Sequence, residues 1–236
     1  MNVHERIKIF ADGASLTKVP ELVDRYQVKG FTTNPTLMAK EGIRDYQSFA
    51  TEFLKTARGM PVSFEVFADD LVEMERQAHI LAGWGETVYV KIPITNTLGI
   101  STAPLIQRLA EFGCKVNVTA VFTPAQIDGL LRCFSQGVPA VVSIFAGRIA
   151  DAGIDPTPIM RHALDRFRDQ TNVEILWASC REIFNIVNAA DAGCHIITVP
   201  IAMLDKLSQL GKPLEEFSLD TVKMFRNDAV SSGFML

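Results

Sequence analysis

The sequence predicts a single α/β domain over residues 1–236, a closed (β/α)8 barrel of the TIM type with an extra C-terminal helical tail over 219–236. Three observations carry that expectation. Short β-branched runs alternate with helical hydrophobic patterns about eight times along the chain. The 236 residues contain no linker, low-complexity tract or shift in composition, and that length suits one barrel. The first strand-to-helix turn lacks the G-x-G-x-x-G of a dinucleotide fold, although an open doubly wound sheet stays as the alternative.

Residues 7–12 read as the first strand. Residues 16–26 read as a helix because Leu16, Val19, Leu22 and Val23 recur at helical spacing. A second strand over 30–34 is closed by Pro35 and followed by a helix over 46–57. The third strand covers 62–68, and Leu71, Met74, Ala78 and Leu81 give a helix over 71–84 one apolar side. V-Y-V-K-I-P-I-T at 88–95 is the fourth strand. It is a β-branched run bounded by Gly85, Asn96 and Gly99, the pattern of a parallel strand buried on both faces. A helix over 101–112, a strand over 115–121 and a helix over 124–134 with proline in its first turn follow. The sixth strand, 140–146, leads through a loop with Gly and Pro to a helix over 158–167. Strands over 174–180 and 196–200, with helices over 182–191 and 203–210, complete the repeat. Val222, Phe225 and Val230 mark one more amphipathic helix outside it.

The composition, 48% hydrophobic and 21% charged, is that of an ordinary globular chain. A net charge of −4 with no block of Lys or Arg argues against nucleic acid as a partner, while leaving room for a local anion site. No apolar run approaches the roughly 20 residues that span a bilayer, so no membrane partner is expected. The polar start runs straight into a strand and reads as neither a signal nor a transit peptide. Cys114, Cys133, Cys180 and Cys194 show no CxxC spacing and no histidine cluster. They are expected to be reduced thiols of a cytoplasmic protein that uses no metal or other cofactor.

Successive strand residues face opposite sides of a sheet, so one parity in each strand faces the barrel axis. Placing Lys91 inward brings Tyr89 and Pro93 with it and sends Val90, Ile92 and Ile94 toward the helices. The same test puts Ser63, Glu65 and Phe67 inward on the third strand. On the fifth it puts Lys115, Asn117 and Thr119 inward and Val116, Val118 and Ala120 outward. Val141, Ser143 and Phe145 face inward on the sixth, Asp12 ends the first, and Thr32 and Asn34 lie on the second. A barrel built for stability alone fills its axis with Val, Ile and Leu. Any one of Asp12, Asn34, Glu65, Lys91, Asn117, Thr119 or Ser143 is explicable as a satisfied core polar group. Gathered on one axis, where each buried polar group needs a partner, they point to a site.

A lysine inside such a strand reaches water along its stem or is neutral, because an unpaired ammonium is costly to bury, and its neutrality depends on desolvation outweighing any opposite charge nearby. A neutral amine is a nucleophile that condenses with a carbonyl. With two carboxylates and no metal ligands, the set fits class I carbonyl chemistry, in which an iminium acts as electron sink for carbon–carbon cleavage. Gly147-Arg148 after the sixth strand and Ser179-Cys180-Arg181 after the seventh offer two arginines, a hydroxyl and a helix N-terminus as a phosphate clamp. The alternative is two solvated surface arginines.

From about residue 7 to 212 the chain resembles the transaldolases, in particular their short single-barrel branch, which includes the fructose 6-phosphate aldolases. G-F-T-T-N-P-T-L at 30–37 looks like that family's first signature, and V-Y-V-K-I-P-I-T looks like its second. The resemblance implies a class I aldolase-like barrel with Lys91 at the Schiff-base position. It makes Asp12, in I-F-A-D-G, the acid/base group and Asn34 a binder of substrate hydroxyls. Asn117 and Thr119, in V-N-V-T-A-V-F, fall near the iminium and catalytic water. Arg148, in S-I-F-A-G-R-I, and Ser179 and Arg181, in A-S-C-R, fall where sugar phosphate binds, and Thr32, Ser143 and Phe145 line the substrate. Where the aldolases carry glutamine and tyrosine, this chain has Glu65 and Phe145, as true transaldolases do. That pair implies a glutamate activating water and no phenol to protonate the intermediate, hence transfer over release. Departures are Gly13 and Ala14 after Asp12, Ile144 in place of proline, and Cys180 in place of an aromatic.

The implied activity is transfer of a dihydroxyacetone unit from sedoheptulose 7-phosphate or fructose 6-phosphate to an aldose phosphate, in the pentose phosphate pathway. Sugar phosphates are the expected partners, with a homo-oligomer, pentamer or decamer, as the expected assembly. An aldolase on fructose 6-phosphate or another sugar phosphate, and a non-catalytic sugar-phosphate-binding barrel, are the competing readings.

Overall fold

The computed structural model describes residues 3–13, 15–233 and 235. Its strands are β1 (Lys8–Asp12), β2 (Gly30–Thr32), β3 (Val62–Glu65), β4 (Val88–Pro93), β5 (Val116–Val121), β6 (Ala140–Ile144), β7 (Val173–Trp177) and β8 (Ile196–Pro200). Each pairs in parallel with the next, and β8 pairs with β1, so the sheet closes into a barrel as expected. Around it run α1 (Val19–Asp24), α2 (Pro35–Lys40), α3 (Tyr46–Thr56), α4 (Leu71–Ala82), α5 (Ala103–Glu111) and α6 (Pro124–Gly129). The series continues with α7 (Ala146–Asp151), α8 (Thr157–Arg166), α9 (Phe184–Ala192), α10 (Ile201–Leu204) and α11 (Leu214–Ser231).

Register places the chemistry. Glu65 lies opposite Lys91, Lys91 opposite Asn117, Pro93 opposite Thr119, and Asp12 opposite both Thr32 and Pro200. Because parity is shared around a parallel barrel, these residues all face the axis, and the tilt of the strands sets their heights along it. The outward parity, including Val90, Ile92, Val118 and Val142, packs against Met74, Ala78, Ile106 and Leu109 of the helices. Beneath the polar layers the axis is closed by a smaller apolar cluster of Phe10, Val141, Leu176, Ala178 and Ile196.

Gly30 makes that floor possible. A β-carbon there would sit 2.5 Å from the buried ring of Phe10. Gly30→Ala is therefore expected to destabilise the barrel by about 1–3 kcal/mol through overpacking, read as a lower urea midpoint. An unchanged midpoint would show that the floor is loosely packed.

Several boundaries differ from the expectation, each for a local reason. The third strand stops at Glu65, and Phe67, expected on the axis, is 54% exposed in the loop against Tyr46. Lys115 lies just before β5 and donates to the carbonyl of Glu86 instead of pointing up the axis. The register of β5 on β6 shifts between Val118 and Val121, and Ala120 there has φ +57. That bulge inserts an extra residue, so Ala120 lines the axial cavity and Val121 takes the outward place. The sixth strand ends at Ile144 because the chain turns at Phe145 into α7, a helix unforeseen in what looked like a loop. The seventh ends at Trp177, short of Ser179, whose φ of +64 breaks the extended run.

The helix expected over 16–26 opens as a 3-10 turn and becomes α-helical at Val19, with Pro20 in its first turn. The one expected over 203–210 is α10 followed by a 3-10 turn. The tail helix starts at Leu214. Ala14 and the predicted tail's Phe234 and Leu236 lie outside the described residues. No helix among the described residues is long and apolar enough to cross a membrane.

Candidate active site

The C-terminal mouth of the barrel opens into a cavity of about 470 Å³. Lys91 stands at its base, 7% exposed, because β4 threads the core with apolar neighbours on its other face. Its Nζ donates to the carbonyl of Thr33 at 2.8 Å and to the Glu65 carboxylate at 2.9 Å. The buried amine is thus paired rather than reaching solvent. Glu65 is held by its backbone: its N–H donates to the Tyr46 hydroxyl at 2.9 Å, and that hydroxyl donates to its carbonyl at 3.2 Å. Burial pushes the Tyr46 phenol further up, so it stays protonated as a fixed peg. Sequence reasoning missed Tyr46; an aromatic on a helix facing the core looks like packing, which it also is, against Phe64 and Trp84.

Asp12 sits across the cavity. Burial raises its pKa, Thr32 and the charge of Lys91 lower it in part, and the charge of Glu65 raises it again. The Thr32 hydroxyl donates to Asp12 at 2.8 Å and lies 2.5 Å from the hydroxyl of Thr198, so Thr198 is left to donate to Thr32. Thr198, on β8, also lines the cavity and was missed. The inward parity of I-I-T-V-P was its only signal.

Thr119 is 3% exposed, lines the same cavity, and its hydroxyl has no hydrogen-bond partner among the described residues. A buried, unpaired hydroxyl on a residue of the cavity wall is available to a water or a substrate oxygen once its side chain turns toward the cavity. Asn117 does not line the cavity. Its amide donates to Ser63 at 3.0 Å and accepts from Ser143 at 2.7 Å, tying three strands together one layer below. Ser143 reaches the cavity wall itself.

Asn34 caps α2: its side-chain oxygen accepts from the N–H of Leu37 at 3.0 Å, with Pro35 at the first helical position. The cap fixes the side chain and leaves its amide NH2 as a donor at the cavity edge. Asn before Pro is itself a helix-start signal, a role beyond the strand end and hydroxyl binder expected from the sequence.

At the rim, Arg148 lies on the first turns of α7 with its guanidinium 5.3 Å from the centre of the Phe145 ring. Arg181 and Ser179 face it from the loop after β7. The helix N-terminus expected beside Arg181 starts at Phe184, and the N–H groups of Arg181 and Glu182 are taken by Asn185. Cys180 also lines the cavity; burial pushes its thiol up to about 12, so it is a poor proton donor or nucleophile there. Among the described residues no group of three or more His, Cys, Asp or Glu is placed to hold a metal ion. The arrangement can therefore do three things chemically: present a primary amine to a carbonyl, move protons at two separated carboxylates, and hold an anion at the rim.

The family described as Transaldolase/Fructose-6-phosphate aldolase matches residues 9–235. "Probable transaldolase 2" of Listeria monocytogenes is 36% identical over 204 residues, covering 85% of this chain and 88% of its own. "Probable transaldolase" of Dehalococcoides mccartyi is 34% identical, covering 86% and 91%. Solved structures of 2,3-dimethylmalate lyase (TM-score 0.56, 13% identity, 98% and 85% covered) and of N-acetylneuraminate lyase from Mycoplasma synoviae (TM-score 0.55, 11% identity, 96% and 82% covered) share the barrel. At such identities they speak to the fold alone.

Proposed function

Because the chain belongs to the transaldolase/fructose-6-phosphate aldolase family, we propose that it is a transaldolase working through a Schiff base on Lys91. It would move a dihydroxyacetone unit from a ketose phosphate, such as sedoheptulose 7-phosphate or fructose 6-phosphate, to an aldose phosphate. The observation that carries this reading is the Lys91–Glu65 pair at 2.9 Å under a cavity that also holds Asp12 and, at its rim, two arginines.

The steps follow from the layout. Glu65 accepts a proton from Lys91 as Nζ adds to the C2 carbonyl, and returns it when water leaves the carbinolamine. The Thr119 hydroxyl and Glu65 hold that water. With the iminium formed, the Asp12 carboxylate takes the proton of the C4 hydroxyl. The C3–C4 bond breaks, the aldose leaves as an aldehyde, and the electron pair rests in the enamine on Lys91. Burial makes Asp12 a stronger base than an ordinary carboxylate, as this step requires. The acceptor aldehyde is then attacked by C3, Asp12 returns the proton to the new alkoxide, and water releases the product ketose. Asn34 and Ser143 bind hydroxyls, and Arg148, Ser179 and Arg181 bind the phosphate. Phe145 brings no hydroxyl to the enamine, which favours transfer over protonation and release.

The test is fructose 6-phosphate with and without erythrose 4-phosphate. A transferase makes sedoheptulose 7-phosphate at least about tenfold faster than it releases free dihydroxyacetone. Release that is independent of acceptor would make it an aldolase, and no turnover of either kind would leave a binding barrel. Such a reaction would belong to the pentose phosphate pathway of the cytoplasm.

The assembly is inferred from α11. None of its residues is buried among the described residues, and Leu214, Phe217, Val222, Met224 and Phe225 fall on one side of the helix, mostly exposed. Such a face is normally covered, here by a second copy of the chain. Sedimentation is expected to give a homo-oligomer that Phe217→Glu/Phe225→Glu breaks down. A monomeric wild type would contradict this.

A further inference from the structure

We propose that Asp151 is a positioning residue for the rim anion site: it holds one edge of the Arg181 guanidinium so that the other edge is presented to the substrate's phosphate. The inference rests on the reading of Arg148 and Arg181 as the phosphate clamp. Asp151 closes α7, three residues after Arg148.

The backbone on both sides of the clamp is already fixed. Gly147 packs so tightly on the loop after β7 that a β-carbon there would lie 1.6 Å from the carbonyl oxygen of Ser179. Ser179 itself takes a left-handed conformation, φ +64, which an L-residue adopts at a cost. Beyond Cys180, the N–H groups of Arg181 and Glu182 donate to the Asn185 side chain at 2.9 and 3.2 Å. The freedom left at Arg181 is that of its long side chain, which is the freedom that weakens an arginine as an anion receptor.

Asp151 removes it. Arg181 Nε lies 3.1 and 3.0 Å from the two carboxylate oxygens, and Nη2 donates at 2.6 Å. This consumes the Nε edge of the guanidinium. Among the described residues both N–H groups of Nη1 and the second of Nη2 have no partner, and they form the fork that meets two phosphate oxygens at once. The pair is about half exposed, so its contribution to folding stability is small and its effect lies in orientation. Arg148, on the same short helix, has no ion pair among the described residues and is steadied by the Phe145 ring. The two arginines are thus presented differently: one is held by an aromatic face, the other by a carboxylate.

The Arg181 pairing also keeps the Asp151 carboxyl below its ordinary range, so the clamp stays assembled through neutral and mildly acidic pH. The carboxylate further offsets one positive charge at the rim. With its fork oriented by Asp151, Arg181 acts together with Arg148 on a group that has enough oxygens to engage both, a phosphomonoester, in preference to a single carboxylate.

The experiment compares wild type, Asp151→Ala, Asp151→Glu and Arg181→Ala on fructose 6-phosphate and on fructose, reading KM and kcat separately. Asp151→Ala is expected to raise KM for the phosphorylated sugar about tenfold, with kcat falling less than about threefold and kcat/KM on fructose moving less than about twofold. Asp151→Glu restores part of the loss. An unchanged or lower KM in Asp151→Ala, with Arg181→Ala still impaired on the phosphorylated sugar, would overturn the positioning role while leaving the clamp intact. If Arg181→Ala and wild type treat the two sugars alike, the clamp reading itself fails.

Discussion

Lys91→Met is expected to lower kcat/KM for a ketose phosphate by about 10⁴-fold or more, because among the described residues no other primary amine lines the cavity to form the covalent intermediate. The fold should survive. Methionine fills the space of the lysine stem, and the cost is confined to the Thr33 carbonyl and the Glu65 carboxylate, which lose the Nζ contacts at 2.8 and 2.9 Å. Glu65 keeps 21% side-chain exposure toward the cavity, so water can replace the ammonium. A loss of about 1–3 kcal/mol is expected, short of the 5–15 kcal/mol typical of whole domains. Adding Glu65→Gln to Lys91→Met should cost almost nothing further in rate, since a proton carrier is idle without its nucleophile. Multiplicative losses, or an active Lys91→Met protein that folds normally, would remove Lys91 from the chemistry.

Asp12→Asn is expected to separate activity from stability in opposite directions. Its rate should fall by about 10²–10⁴, the usual worth of a positioned general base, with carbon–carbon cleavage slowed and imine formation spared. Its stability should rise at neutral pH. The folded-state pKa of Asp12 is raised by burial, so the native form binds its proton more tightly than the unfolded chain does. Stability from this group is therefore fully present below the unfolded carboxylate pKa and is lost as pH rises through the higher folded one. Asparagine is neutral throughout, so the urea midpoint of the variant should exceed that of wild type above this window, and the gap should shrink toward strongly acid pH. A variant less stable at pH 7 than at pH 4, relative to wild type, would show that Asp12 is held by partners that outweigh its burial.

Much of this site could be read from strand parity, because a barrel strand repeats every two residues and the register is shared around the axis. Glu65, Lys91, Thr119 and Ser143 all fall on the inward parity and line one cavity. Parity fails where the backbone is irregular. The bulge at Ala120 inverts the reading for that residue, and nothing in V-N-V-T-A-V-F announces it. Groups that act from outside the strands were also hidden. Tyr46 reaches Glu65 from α3, and Asp151 reaches Arg181 across the rim, contacts set by helix packing rather than by sequence spacing. Asn117 shows the converse limit: it has the right parity and the wrong height, since a strand pattern gives the face but leaves the layer to the register with its neighbours. The two short helices α2 and α7 were missed because six residues carry too little periodicity to stand out from a loop.

The most direct test of the account is borohydride trapping with fructose 6-phosphate, followed by peptide mass spectrometry of the wild-type protein. It predicts a reduced three-carbon adduct on the peptide that contains Lys91, discharged when erythrose 4-phosphate is added before the reductant. Substrate consumption with no trapped adduct, or with the adduct on another lysine, would contradict it.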